Sequence, residues 1–319
     1  MKRSDSGPAS AQAVLAYGKP TCRCRNHLDA AFRMPSTKVL DYFTSLVADD
    51  DSIPLTETAL AIALDAYPDL DLQAELASID MLAERLRKQI PGGTPAIDRL
   101  RLLNQFFYRD LGFGQNPNDY YDPDNSYLNA VLRSRRGIPI SLAVLYMEIG
   151  QQVGLPLKGV AFPNHFLLRM SIPAGEVIID PLSGHTLSKE ELQEMLEPFL
   201  ENEGRSNLEE NGDGIPLGLF LQVASHRDII ARMLRNLKAI YLQEARWQRM
   251  LGVQERLVIL LPHSIEEVRD RGLAYANLER FRPAVEDLEA YLEARPDASD
   301  AEQLRERLPT LRMMSRNTS

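Results

Sequence analysis

The C-terminal part of the chain matches itself when it is shifted by 34 residues. The aligned pairs are Tyr241 and Tyr275, Arg246 and Arg280, Trp247 and Phe281, and Pro262 and Pro296. A period of this length is typical of repeated helix pairs, each of which buries its apolar face only against its neighbours. The repeat therefore predicts a stack of helices in this part of the chain.

The second copy of the repeat follows the tetratricopeptide pattern well. Small Gly272 and Ala284 let the two helices of the pair approach closely, and Pro296 closes the second helix. In the first copy, at about 231–264, Lys238 stands where glycine is expected, and Gln254 stands where an apolar residue is expected.

A third repeat unit is only begun, and residues 300–308 are expected to form a capping helix. Since so few repeats rarely stand alone, we expect the array to pack on the N-terminal domain. Two interpretations stay open. The array is either an ordinary helical cap, or a concave surface that binds a peptide of a partner protein. Arg246 and Arg280 are candidate partner-binding residues, whereas Trp247 is expected to pack in the core.

Upstream of the repeat the apolar pattern predicts an α+β fold that is mainly helical. Helical periodicity begins at Ser36 and returns in a long apolar helix at about 139–153. Short strands are predicted at 158–162, 166–170 and 177–179, separated by Pro-rich turns, and they indicate a small antiparallel sheet. A further helix at 187–199 begins with Ser188 as N-cap and Glu191 as its capping-box partner.

Composition divides the chain into segments. The leader, residues 1–33, carries six Lys/Arg against two acidic residues and is expected to be disordered, with Met34 as a possible natural start. An α+β domain with a helical N-terminal region is expected at 34–199, an acidic linker at 200–214, a tetratricopeptide-repeat domain at 215–312 and a tail at 313–319.

Charge and hydropathy restrict the partners. The net charge of −9 argues against a general nucleic-acid binder and against docking on anionic lipid. No apolar run approaches the roughly 20 residues of a membrane span, and no secretory signal core stands at the N-terminus. With only Cys22 and Cys24, too close together to staple a domain, the expected location is the cytoplasm. No cofactor is expected.

The stretch from Arg136-Gly137-Ile138-Pro139 to Gly154-Leu155-Pro156 resembles the transglutaminase-like core, a papain-like fold. In that superfamily a Gly-x-Cys sequence begins a helix, and a His and an Asp follow on successive strands. His165 and Asp180 match the last two positions. A thiolate at a helix N-terminus is stabilised by the helix dipole, and the His and Asp move and orient its proton. The position of the nucleophilic Cys is occupied here by Pro139, so the resemblance implies a vestigial triad.

From about residue 36 to 310 the chain is similar to the bacterial SirB-type family, which joins a helical region, a transglutaminase-like core and C-terminal tetratricopeptide repeats. The phrases that carry this resemblance are Tyr67-Pro68-Asp69-Leu70-Asp71, Asn125-Ser126-Tyr127-Leu128, Gly137-Ile138-Pro139-Ile140-Ser141-Leu142, Phe162-Pro163-Asn164-His165-Phe166-Leu167-Leu168-Arg169 and Arg232-Met233-Leu234-Arg235-Asn236-Leu237. The resemblance implies the fold more than the function, although the family has been linked loosely to regulation.

Several side chains have both a structural and a functional interpretation. His165 and Asp180 support strands in the first, and act with a replacement nucleophile in the second. Ser141 is the hydroxyl candidate, but two residues turn a helix by about 200°, so it should face away from a His that Pro139 faces. Arg133, Arg135 and Arg136 either lie near the C-terminus of the preceding helix, where cations are favoured, or contact an acidic peptide.

A metal site is not expected from the remaining ligand-type residues. The set Cys22, Cys24 and His27 supplies three ligands at close spacing, whereas structural zinc takes four at wider spacing.

The sequence thus favours a non-catalytic scaffold or regulatory protein that binds another protein or peptide through the repeats. The alternative is a cysteine-independent hydrolase or acyltransferase that uses His165 and Asp180 with an unidentified nucleophile. Regulation by direct DNA contact conflicts with the acidic charge and with the lack of a DNA-binding motif.

Overall fold

A computed structural model of the chain describes residues 36–119, 121–202 and 216–317. The leader 1–33, Met34 and the Cys22, Cys24 and His27 set lie outside the described residues, as does most of the expected acidic linker.

Helices whose apolar faces turn inward form the N-terminal region. Val39, Phe43 and Val47, spaced four residues apart, are all buried. Asp71 begins the third helix by accepting a hydrogen bond from the Ala74 N–H at 3.1 Å. The α-helices of this region are α1 (Ser36–Leu46), α2 (Leu55–Ala61), α3 (Leu72–Arg87), α4 (Ala96–Asn104) and α5 (Leu128–Ser134).

Two helices of this region change geometry at their C-terminal ends. The α2 helix tightens into a 3₁₀ turn at Ile62–Asp65, and α4 widens into a π-helical turn at Gln105–Asp110. Adjacent Phe106 and Phe107 lie in the π turn and are both buried. The chain thus stays helical from Ala96 to Asp110.

The central helix α6 (Pro139–Gln152) lies in the core, and an antiparallel sheet follows it. The strands pair in chain order as β3 (Leu157–Val160), β4 (Leu167–Ile172), β5 (Gly175–Ile179) and β6 (Thr186–Leu187). The predicted small antiparallel sheet is confirmed. A short parallel pair, β1 (Gly114–Gln115) with β2 (Arg136–Gly137), has no counterpart in the sequence prediction.

Helix α7 (Lys189–Asn202) begins as its sequence indicates. The Glu191 N–H donates to the Ser188 hydroxyl at 3.2 Å, and the Ser188 N–H donates to the Glu191 carboxylate at 2.7 Å. These reciprocal hydrogen bonds satisfy N–H groups that have no partner within the helix, and they confirm the predicted capping box.

The C-terminal helices reproduce the 34-residue period in three dimensions. Helix α9 (Trp247–Leu260) and helix α11 (Phe281–Ala294) are offset by 34 residues at both ends. The turns repeat as well, since the Arg246 and Arg280 N–H groups each donate to the tyrosine carbonyl five residues earlier at 2.9 Å. The remaining helices are α8 (His226–Gln243), α10 (Ile265–Asn277) and α12 (Ala301–Asn317). The last continues nine residues beyond the predicted capping helix.

The first helix pair of the array shares the core of the N-terminal region. Leu234 and Leu257 belong to the same buried apolar cluster as Phe43. The Tyr127 and Tyr241 hydroxyls are 2.6 Å apart in a buried hydrogen bond. The expectation that the array packs on the N-terminal domain is therefore confirmed. Trp247 packs against this cluster, also as predicted.

Candidate functional site

Pro139 is the first residue of α6, at the position where the transglutaminase-like nucleophile is expected. Its ring is partly exposed, and the preceding residue, Ile138, has extended backbone with φ −92° and ψ 165°. Proline suits this position because its fixed φ fits the first turn and its missing N–H costs no hydrogen bond. The side chain has no group that can donate electrons to a substrate carbonyl.

Ser141, the hydroxyl candidate, is fully buried and engaged with backbone. Its hydroxyl donates to the Asn125 carbonyl at 2.6 Å, lies 3.0 Å from the Ile138 carbonyl, and accepts from the Ile138 N–H at 3.1 Å. A side chain on Gly137 would place its Cβ 2.7 Å from this oxygen. Ser141 therefore joins the start of α6 to the preceding loop, and its oxygen has no exposed face.

His165 and Asp180 lie at the same end of the sheet. The register pairs Leu168 of β4 with Ile179 of β5, so the residues just before β4 and just after β5 are neighbours. Within the described residues, however, no hydrogen bond joins the His165 ring to the Asp180 carboxylate. The Asp180 carboxylate acts on His165 through electrostatic attraction, which raises the pKa of the imidazole.

The Asp180 carboxylate is engaged in its own turn. It accepts from the Leu182 N–H at 2.9 Å and from the Ser183 hydroxyl at 2.7 Å. The Asp180 N–H donates to the His185 carbonyl at 2.9 Å, which closes the turn into β6. This arrangement is that of a turn-stabilising aspartate, which the residue pattern alone could not distinguish from one that orients a histidine.

The His165 side chain is exposed, and its ring centroid is 6.4 Å from that of Phe162. Partial burial and the nearby Arg232 guanidinium lower the pKa of His165, and the Asp180 carboxylate opposes this only partly. Both dominant causes penalise the imidazolium form. The shift of the His165 pKa therefore favours the neutral imidazole.

Arg232 is the site residue that the sequence reasoning missed. It comes from α8, next to the repeats, and its guanidinium lies over the Phe166 ring at 5.8 Å and donates to the Phe162 carbonyl at 3.3 Å. The sequence motif that begins at Arg232 was recognised, but its position beside His165 depends on the tertiary fold. The positive charge of Arg232 thus opposes protonation of His165, which an acid–base site would require.

The four arginines proposed as partner contacts occupy separate places. Arg133 lies over the Tyr67 ring at 5.5 Å, and Arg136 donates to the Gly112 carbonyl at 2.6 Å. Arg246 and Arg280 are exposed at equivalent positions before α9 and α11. Arg246 pairs with Glu244, and Arg280 reaches Gln248 of the preceding repeat at 3.3 Å. The structure therefore brings only the last two onto one surface.

The described ranges hold neither a metal-binding cluster nor a helix that could span a membrane. No group of three His, Cys, Asp or Glu side chains in residues 36–119, 121–202 and 216–317 is arranged to hold a metal ion. In the same residues no helix combines the length and the apolar character that crossing a bilayer requires.

Comparison with known proteins agrees with this architecture. The model of the transglutaminase-like superfamily matches residues 73–235, and a tetratricopeptide-repeat model matches residues 237–309. A UPF0162 protein of Xylella fastidiosa is 38% identical over 264 residues, which cover 82% of this chain and 92% of the relative. Protein SirB1 of Salmonella typhimurium is 29% identical over 250 residues, covering 77% and 87%.

The chain belongs to the SirB-type family. UPF0162 protein YchA of Escherichia coli, another member, is 30% identical over 243 residues, which cover 75% of this chain and 84% of the relative. The SirB-type assignment explains why one chain combines a transglutaminase-like core with tetratricopeptide repeats. The names of these relatives state no activity, so the function has to be argued from the site.

Proposed function

We propose that this SirB-type protein is a non-catalytic, cytoplasmic scaffold that binds another protein through its repeats. The observation that carries the proposal is Pro139 at the start of α6, in the position of the transglutaminase-like nucleophile. Acyl transfer through this site needs a thiolate or an alkoxide at that point, and a proline ring provides neither.

The neighbouring groups support the same conclusion. The Ser141 hydroxyl is buried in the α6 cap, and the Asp180 carboxylate is committed to its turn. Arg232 beside His165 disfavours the imidazolium that a general base must become during the reaction. Each of these features is compatible with a retained fold whose catalytic chemistry has been lost.

The repeats supply the binding part of the proposal. Stacked helix pairs of this kind offer extended surfaces for partner proteins. Arg246 and Arg280 are exposed at the starts of α9 and α11, which are equivalent helices of successive repeats, and the hydrogen bond from Arg280 to Gln248 links the two positions into one row. A row of spaced cations selects a partner that carries complementary acidic groups.

The experiment that tests this function compares partner capture by three full-length proteins. The wild type is compared with a double charge reversal, Arg246→Glu with Arg280→Glu, and with a matched reversal on α12, outside the row, Arg307→Glu with Arg316→Glu. Proteins recovered from a bacterial extract are quantified by mass spectrometry. We expect the first pair to lose a partner that the wild type and the matched control retain. Identical recovery by all three would count against the repeats as the binding surface.

The competing function is a hydrolase that uses His165 with an unidentified nucleophile. It is favoured by the neutral imidazole, which is the form a general base requires. It predicts that wild-type protein hydrolyses amide or ester substrates and that His165→Ala abolishes this turnover. The scaffold function predicts that neither protein exceeds the buffer rate, and that His165→Ala captures the same partner as the wild type.

A further inference from the structure

Three arginines form a compact basic patch on the core domain, away from the repeat row. Arg85 is on α3, Arg135 is the residue that ends α5, and Arg136 is the first residue of β2. Burial and, to a smaller extent, the nearby charge of Arg85 lower the pKa of Arg135. In the described parts of the chain, no carboxylate forms an ion pair with any of the three.

Aromatic rings hold the first two guanidinium groups in place. The Arg135 guanidinium lies 4.6 Å from the centre of the buried Phe113 ring, and that of Arg85 lies 5.6 Å from the centre of Phe106. The attraction between a guanidinium and an aromatic face restrains a long side chain. The side chains are thus ordered before any ligand arrives.

Backbone carbonyls hold the Arg136 side chain, and the end of α5 sets the position of Arg135. Arg136 Nη1 donates to the Gly112 and Arg135 carbonyls at 2.6 and 2.9 Å. Arg135 ends α5 in the left-handed conformation, with φ 60°, a position at which glycine or asparagine is the usual residue. The Nη1 of Arg135 is buried and has no hydrogen-bond partner within the described residues.

No carboxylate of the described residues neutralises the positive charge of this patch. Like charges held close together repel, and an anion bound beside them relieves that repulsion. An oxyanion accepts hydrogen bonds from a guanidinium in a bidentate geometry and neutralises its charge. We propose that the patch of Arg85, Arg135 and Arg136 binds the side-chain carboxylates of an acidic segment in a partner protein.

Charge complementarity selects a peptide rather than a nucleic acid. The protein carries a net charge of −9, so an extended polyanion that passes beyond the patch meets repulsion from the rest of the surface. A short acidic segment contacts only the local positive charge. The inference goes beyond the proposed function, because it places a second contact surface on the core domain and does not depend on the repeats.

The test measures binding of a fluorescein-labelled peptide of alternating Glu and Asp residues by fluorescence polarisation. The control probe is a peptide of the same length in which Gln and Asn replace the acids. The protein variants are Arg85→Gln and Arg135→Asn, because Asn tolerates the left-handed backbone at 135. The matched control is Arg316→Gln, which removes an exposed charge from α12, outside both surfaces.

We expect the wild type to bind the acidic peptide and not its amide counterpart. Arg85→Gln and Arg135→Asn should each weaken binding about tenfold, the usual effect of losing one charged hydrogen bond. Arg316→Gln should leave it unchanged. If Arg135→Asn melts below the assay temperature, Arg85→Gln carries the test, since its side chain is exposed and lies outside the core.

Two results would overturn the inference. One is equal weakening by Arg316→Gln, which would mean that only net charge matters. The other is absence of acidic-peptide binding to the wild type, including the case in which inorganic phosphate alone binds through Arg85 and Arg135. Neither result bears on the repeat row, so the proposed function is tested separately.

Discussion

Replacing Ser141 with alanine tests whether its hydroxyl is structural or catalytic. The change removes the hydrogen bond to the Asn125 carbonyl and the one from the Ile138 N–H. Each is worth about 0.5–1.5 kcal/mol net. The Ile138 N–H still reaches the Asn125 carbonyl at 3.2 Å, so neither backbone group is left without a partner. The expected loss is therefore about 1–2 kcal/mol in the free energy of unfolding.

The assay for Ser141→Ala is urea unfolding followed by circular dichroism, together with a thermal melt. A loss of this size corresponds to a drop of about 2–8 °C in melting temperature for a domain of this length. Ser45→Ala, at an exposed serine of α1, is the matched control and should stay within about 0.5 kcal/mol of the wild type.

A Ser141→Ala loss no larger than that of the control would refute the capping argument. A fluorophosphonate probe, which attacks activated serine hydroxyls, gives an independent check. Wild-type Ser141 should remain unlabelled by mass spectrometry. Labelling at this residue would show that its oxygen is accessible and nucleophilic, contrary to its burial.

Three further predictions concern Gly137, the Tyr127–Tyr241 pair and His165. Gly137→Ala should destabilise the protein by about 1–3 kcal/mol in urea unfolding, because the new Cβ would lie 2.7 Å from the Ser141 oxygen and 3.1 Å from a Val131 methyl; a neutral effect would contradict the close approach. In a double-mutant cycle, Tyr127→Phe and Tyr241→Phe should show about 1 kcal/mol of coupling, since either single change leaves one buried hydroxyl unpaired; additive losses would argue against the shared hydrogen bond. An NMR titration should give His165 a pKa below its usual 6.5, rising in Arg232→Gln. The lowered pKa means that the unfolded chain binds a proton at His165 more readily than the folded protein does. The free energy of unfolding should therefore rise with pH between the folded and the unfolded pKa of this histidine, and His165→Gln should remove that contribution.

The sequence predicted the elements whose signals are local. The repeat period, the Ser188 and Glu191 capping box and the antiparallel strands each depend on residues close together in the chain, and the structure has all of them. The π turn at Gln105–Asp110 was not predicted, because the apolar spacing of the sequence does not distinguish a π turn from an α-helical one.

The candidate site was predictable in position but not in geometry. The motif placed His165 and Asp180 at one end of the sheet, yet two details depend on tertiary contacts. Asp180 accepts hydrogen bonds from its own turn, and Arg232 arrives from a helix far along the chain. Motif spacing cannot distinguish an aspartate that orients a histidine from one that holds a turn, since both follow a strand.

The shared core of α1 and α9 has a consequence for how the protein is made. Phe43 is among the first buried residues to leave the ribosome, and Leu257, in the same apolar cluster, emerges more than two hundred residues later. At bacterial synthesis rates of about 5–20 residues per second, the helices around Phe43 wait roughly 10–40 s for their partner. Contacts between such distant segments form slowly, and the waiting apolar surface is open to aggregation or chaperone capture. A nascent chain halted before α9 should therefore be far more sensitive to protease than the released protein.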